Sequence, residues 1–418
     1  MRGMVARRFP FLVMLVAAWT GAPAAPLLPH LGAELAGKLE LPKVGGMPPL
    51  AWRVGVRTAE SGELALTLST TAPGLSLEID ATLPVGDAAG TWRVRRGAVD
   101  LAAWWPVASS RLPAGGLPPD LELTGALELS GEGTWRGAVI AGTVSVSLAS
   151  GSARSAAQNW EATELGFAGE LSPGPEEIRL VRGQVRIGQV RVAGITARKI
   201  EVDAGGRVGG SLEVQRASVD VLGGRIGLSP FAVNLAEPKV ETTAEFGGLA
   251  LSELAALMPE ALAEAQGQLS GRVAVRWSAA VGPELGSGSL AVLPGVPASM
   301  RLAQKPGFLT GRMPVRIAFL PAWLGPISRW LSVENPARQT LNDIELGQQS
   351  LAVDSLRVEL YPDGPDGVRS ASVEVSARPI GGGVVDRVTF TVNVAGPLTQ
   401  VLRLGLNDRA KVSVAPKK

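Results

Sequence analysis

The 418-residue chain has no cysteine, one histidine and one tyrosine. Without cysteine it can form no disulfide, no thiolate metal site and no thiol nucleophile. The single histidine, His30, lies in a proline-rich stretch near the N-terminus, so a Ser-His triad or a histidine metal cluster has no residues to draw on. Charge of one sign is also missing: Lys plus Arg number 40 against 38 for Asp plus Glu. The arginines are spread through the chain with no dense run, which leaves no nucleic-acid footprint. Aromatic residues make up only 5%, so any core must be built mainly from Leu, Val and Ala. With hydrophobic residues at 46% and charged residues at 19%, the composition excludes a disordered chain.

Long apolar runs are confined to the start. Met1 to Arg8 is basic, Phe9 to Trp19 is apolar with one proline, and Ala22-Pro23-Ala24 supplies small residues at the cleavage positions. The pattern predicts a signal peptide over 1–24, with an uncleaved anchor as the alternative; the run is far shorter than the roughly 20 residues that span a bilayer. A Pro- and Gly-rich lead follows over 25–50, irregular or with one short strand around Leu39 to Leu41.

From Trp52 onward the period is two. Trp52, Val54 and Val56 alternate with Arg53 and Arg57; Leu64, Leu66 and Leu68 follow, then Leu75, Leu77 and Ile79 after the turn pair Pro73-Gly74. Alternation continues through Leu121-Glu-Leu123, Leu127-Glu-Leu129, Ile178-Arg-Leu180, Val185-Arg-Ile187 and Val190-Arg-Val192. On the order of twenty short strands at hairpin spacing predict a mainly β chain, a long antiparallel meander too wide to stay flat. Two regions are expected, 51–204 and 205–418. The one clear change of period is Leu249 to Met258, where Leu251, Leu254, Ala255 and Met258 share one helical face ahead of Pro259. Trp104-Trp105-Pro106 marks a second short amphipathic segment.

The order Gly223-Gly224-Arg225-Ile226, then Leu249-Ala250-Leu251-Ser252-Glu253-Leu254, then Gly267-Gln268-Leu269-Ser270-Gly271-Arg272-Val273 resembles the C-terminal region of the YdbH family. There a GG-x-[VI] strand, an L-x-L-x-x-L helix and a G-x-[LV]-x-G-x-[LV] strand follow one another. Downstream, Leu341 to Ile344, the strand Val353 to Leu360, the acidic turn Pro362-Asp363-Gly364 and the strand Val373 to Pro379 extend the likeness, with Arg378-Pro379 where the family has Asn-Pro. The resemblance covers roughly residues 205–408. It implies an envelope protein of the AsmA and TamB kind, exported to the periplasm of a Gram-negative bacterium. Its β-groove would hold phospholipid acyl chains, with the inner or outer membrane or a lipid-transport protein as partner. A label of dicarboxylate transport also attaches to these domains, yet nothing in the chain resembles a multi-span transporter.

The cleanest single-face runs in the family-like half are Val273, Val275 and Trp277; Val373 and Val375; and Val388, Phe390, Val392 and Val394. They are the candidate groove wall. Trp323 and Trp330, in an apolar segment broken by Pro321 and Pro326, are candidates for membrane contact or for packing on the sheet. Asp354 with Glu359, and Asp363 with Asp366, read as turn residues, and the glycine clusters 205–210 and 381–383 as hairpin tips without the context of a phosphate cradle. No catalytic constellation, metal site or cofactor motif is expected. Two readings of the apolar face stay open: a lipid groove, or the closed core of a structural or partner-binding envelope protein.

Overall fold

A computed structural model describes residues 33–39, 49–58, 63–83, 89–109, 118, 120–136, 139–174, 177–192, 194–235, 237–278, 282–311, 313–318, 332–362, 369–381, 384–395 and 413–414. The expected signal segment, most of the lead, Asp363, Asp366, Trp323 and Trp330 lie outside these residues. The fold is mainly β, as the alternation predicts. Among the described residues, all strands but two belong to one antiparallel sheet that is not closed. Two compact units divide the chain: the first holds residues up to 194 with 198–216 and 232–238, the second 195–197, 217–231 and 239 onward.

The first unit is a strict meander. Strands β1 (Ala33–Leu39), β2 (Leu50–Thr58), β3 (Leu64–Ala72), β4 (Leu75–Leu83) and β5 (Gly90–Asp100) precede helix α1 (Leu101–Ser109). Strands β6 (Glu122–Arg136), β7 (Val139–Ser155), β8 (Trp160–Pro173) and β9 (Ile178–Val192) continue it. Each pairs with the next in antiparallel register. Strands β6 to β9 are 14 to 17 residues long, so three expected short strands, at Ile178, Val185 and Val190, are a single one. Glycines lie inside these strands, several beside register shifts such as Gly125/Leu127. The first strand falls at 33–39, a little before the expected position. Asp120, in the turn before β6, accepts hydrogen bonds from Ser155 Oγ (2.8 Å) and Ala157 N (2.7 Å), which hold its carboxyl below the ordinary value.

Strands β10 (Ile195–Arg207), β11 (Ser211–Val221), β12 (Gly224–Leu228) and β13 (Phe231–Asn234) follow, then β14 (Lys239–Ala250), helix α2 (Leu251–Leu257), β15 (Leu262–Gln266), β16 (Gln268–Ser278), β17 (Gly282–Val292) and β18 (Ser299–Leu302). A separate two-stranded ladder, β19 (Arg316–Ala318) with β20 (Ser332–Glu334), leads to helix α3 (Pro336–Glu345). Strands β21 (Leu351–Leu360), β22 (Arg369–Pro379), β23 (Val388–Ala395) and β24 (Ser413–Val414) end the chain.

In the second unit the meander is interrupted. Strand β14 pairs with β16, and β17 pairs with β21. The skipped pieces pack on the sheet: Leu251 and Ala255 of α2, Ala265 of β15, Met300 and Leu302 of β18 and Ile344 of α3 share one buried cluster with Leu249, Leu269, Leu356, Val375 and Val388. Helix α2 starts two residues later than the sequence suggests, because Leu249 and Ala250 finish β14. Met258, expected on its buried face, is the C-cap and 47% exposed, since the chain leaves helical geometry there. Helix α3 has no counterpart in the sequence reading. Its start is nonetheless well specified, with Asn335 Oδ1 accepting from Ala337 N at 3.2 Å and proline in the first turn.

Candidate functional site

The first unit presents an apolar face assembled from cross-strand rows, in which directly paired residues point to the same side. One row runs through nine strands: Leu35, Val54, Leu68, Ile79, Val94, Gly131, Val144, Leu171 and Leu180. The next contains Trp52, Thr70, Leu77, Gly97, Leu129 and Val146. A third contains Leu75, Val99, Leu127, Leu148, Phe167 and Val185. Most of these side chains are half-buried; Leu148 and Thr70 are buried at 4% and 6% exposure, as is Gly97, and Leu35 at the edge is 47% exposed. In β6 the alternation is complete, every second residue half-buried and every other exposed. By contrast, the large buried cluster lies wholly in the second unit.

Aromatic rings lie low on this face because glycines make room for them. A Cβ on Gly133 or Gly142 would stand 2.8 Å from the ring of Trp92, and one on Gly90 only 2.3 Å from Trp135 Nε1. Gly142 also has φ of +147°, which L side chains rarely adopt. The Trp92 Nε1–H is buried with no hydrogen-bond partner among the described residues. At the end of β5, helix α1 carries no charge. Its two indoles donate to backbone carbonyls, Trp104 to Pro73 O (3.0 Å) and Trp105 to Leu121 O (2.6 Å), which fasten the helix to the sheet end.

The opposite face is polar and held by exposed ion pairs. Arg53 meets Glu34 at 2.9 Å, Arg93 meets Glu132 at 2.7 Å and Arg154 meets Glu122 at 2.6 Å, while Arg95 pairs with Asp80. In the second unit Arg272 pairs with Glu245 and Arg276 with Glu241 in the same manner.

The second unit contains a cavity of about 1100 Å³. Its floor includes Val292, Leu356, Val375, Val388 and Phe390; Phe308, Leu309 and Met313 of the loop after β18, with Leu341 of α3, also line it. That loop is tied to α3 by one carboxylate. Glu345 is 1% exposed and accepts from Gly307 N (3.0 Å) and Thr310 Oγ1 (2.6 Å) on Oε1, and from Leu309 N (2.7 Å) and Thr310 N (2.9 Å) on Oε2. Burial alone would raise its pKa; the four hydrogen bonds outweigh burial and hold the carboxyl below its ordinary value.

The candidate groove residues are distributed unevenly between these features. Val273, Val375 and Val388 are buried at 1%, 2% and 6% exposure. Val373 and Phe390 pack against the buried cluster, and Val275 and Val392 are half-buried. Trp277 is 37% exposed. Val392 is opposite Val373, and Val394 is opposite Ala371 with its side chain outside the described residues. Val375, Val388 and Phe390 meet at the cavity, while the β16 residues are not among its lining. The broad apolar face of the first unit was not among the candidates. Its signal was the Leu and Val alternation of 121–192, which became persuasive only once the register aligned it. Among the described residues no group of three or more His, Cys, Asp or Glu could hold a metal ion, and no helix is long and apolar enough to cross a membrane.

No curated protein and no solved structure matches the chain. The expected likeness, 205–408, overlaps a match to a family model over 205–296; that match begins earlier and leaves out the motifs from Leu341 onward. Residues 113–296, which take in β6 to β9 of the apolar face and run on through β17, match the YdbH-like family, described as intermembrane phospholipid transport protein YdbH.

Proposed function

We propose that the chain is a non-enzymatic phospholipid carrier of the Gram-negative periplasm, moving lipids between inner and outer membranes with their acyl chains on the apolar face of the first unit. The observation that supports this reading is the continuity of half-exposed apolar rows across β4 to β9, much of it inside the segment matched to the phospholipid transport family. An acyl chain laid across such rows removes apolar surface from water at roughly 25 cal/mol per Å². No single contact is specific, which suits a cargo that must be held and released. The polar reverse, with its exposed arginine and carboxylate pairs, keeps the sheet from offering two apolar faces to water. An inner- or outer-membrane protein of the envelope is the partner this role requires.

The buried cluster of the second unit favours, for that unit, the alternative of an ordinary closed core in a structural envelope protein. Lipid extraction and mass spectrometry of the purified full chain, with transfer between donor and acceptor vesicles, separate the two. Leu129 and Val146 are half-buried cross-strand partners, so Leu129→Glu with Val146→Glu should leave a folded β protein by circular dichroism, because the new charges can reach water. The double variant should lose co-purifying lipid and vesicle transfer. Unfolding of that variant, together with a parent protein free of lipid, would make the face a core.

A further inference from the structure

The ladder of β19 and β20 is not hydrogen-bonded to the main sheet. Its base is fixed to the start of α3 by the buried Asn335, whose backbone N donates to Val315 O (3.0 Å), whose Nδ2 donates to Pro314 O (3.2 Å) and whose Oδ1 accepts from Ala337 N (3.2 Å). Ile317 and Val333 are register partners and project to one side, with Arg316 and Glu334 partnered on the other. Ile317 is 42% exposed and Val333 54%, and Val315, just ahead of β19, is 56% exposed. A two-stranded ribbon this short is marginal in water unless its apolar side finds a cover. The sequence between the two strands, 319–331, is dominated by Phe, Leu, Ile and Trp, with one arginine and no acid. Over 303–335, the whole connection from β18 to α3, four basic residues stand against the single acid Glu334, a larger excess than the 40 to 38 of the full chain.

We propose that this ladder is a docking surface for an anionic lipid bilayer, with Val315, Ile317 and Val333 entering the boundary between headgroups and acyl chains while the basic residues of the connection meet lipid phosphates. Aromatic and aliphatic side chains set among Arg and Lys are the composition that seats a segment at the interface between water and hydrocarbon. Each basic group close to an anionic surface adds to the attraction. The sequence between the strands has 13 residues, too few for the roughly 20 that cross a bilayer as a helix, so the contact is with the membrane surface. The ladder also leaves from the walls of the second unit's cavity, since Met313, two residues before Val315, and Leu341 of α3 both line it. Docking therefore brings an apolar space within a few residues of the bilayer. The inference goes beyond the carrier reading and does not rest on it, because a chain without lipid cargo docks through the same residues.

Because the chain has no cysteine, Val333→Cys in the full chain supplies a single position for an environment-sensitive fluorophore. Vesicles of equal phosphatidylglycerol and phosphatidylcholine content should shift its emission to the blue. Vesicles of phosphatidylcholine alone should need roughly tenfold more lipid for the same shift, the worth of a few basic groups at an anionic surface, and about 0.5 M sodium chloride should remove that difference. Ile317→Asp added to the labelled chain should raise the lipid required by roughly tenfold, with fold checked by circular dichroism. The same label at Ser252→Cys, exposed on α2, should not respond. No shift at Val333, an equal shift at Ser252, or an Ile317→Asp chain that titrates like its parent would overturn the surface. A shift that appears without vesicles as protein concentration rises would assign the face to a second copy and overturn the bilayer. Leu129→Glu with Val146→Glu should leave the shift at Val333 unchanged while transfer is lost; a parent that transfers lipid without the shift keeps the carrier reading and loses this surface.

Discussion

A carboxylate removed from water as fully as that of Glu345 would normally hold its proton, and four donors converging on it reverse that preference. Because the folded-state pKa is below the ordinary value, the stability this group contributes is complete above that value and is lost as pH falls through the depressed one. Glu345→Gln places an amide NH₂ against N–H donors, so a loss of about 2–4 kcal/mol at neutral pH is expected, in the range for disrupting a buried charge-assisted network. Thermal melts from pH 7 to pH 3 should show the gap between parent and variant narrowing as the parent's carboxylate protonates. A pH-independent gap would mean that the loop is held by packing alone. None of this was visible in the sequence, where Glu345 is one acid among many and its donors lie 35 to 38 residues away. The row that joins Leu129 to Val146 was hidden for the same reason, since a register has to be known before two residues on different strands become neighbours.

Periodicity fared better with elements than with single side chains, and its failures have a common cause. The short strands expected around Leu123 and Leu129 run on through Gly131 and Gly133 as the single strand β6, where a Cβ would stand 2.6 Å and 2.1 Å from neighbouring carbonyl oxygens. These glycines mark close approach within the sheet. Helix α2 was legible from its apolar stripe. Tertiary packing then decided which part of the stripe is buried: Leu251 and Ala255 are sealed in, Leu254 is half-buried, and Met258 is largely exposed. The expected ranking follows. Leu251→Asp should destabilise the second unit by about 3–5 kcal/mol, as a charge without a partner in an apolar cluster. Leu254→Asp should cost less, and Met258→Ser should stay within about 0.5 kcal/mol, as a surface change does. Urea titrations of the three variants check the order; equal losses at Leu251 and Met258 would show the helix to be one turn longer. Helix α3 was overlooked although Asn335-Pro336 is a sound start signal, because Gln339, Thr340 and Asn342 dilute its apolar stripe.

Across the whole molecule the balance of 40 basic and 38 acidic residues takes on a structural meaning, since many of these charges pair across strands on water-exposed positions. Exposed pairs contribute little individually and are screened by salt. The melting midpoint is therefore expected to change by less than about 3 °C between 0.05 and 1 M sodium chloride, as scanning calorimetry can measure; a fall of ten degrees or more would show the pairs to be a principal source of stability. The strict neighbour-to-neighbour pairing of β1 to β9 carries one more consequence. Strand direction and side-chain facing repeat every two strands, so the removal of β7 and β8 together would bring Gly131 of β6 opposite Leu180 of β9 in the same row. The loss of one strand alone would reverse direction and facing. A hairpin, about 10 Å of sheet width, is thus the increment by which such a face can lengthen or shorten in descent, with no other residue needing to change in step.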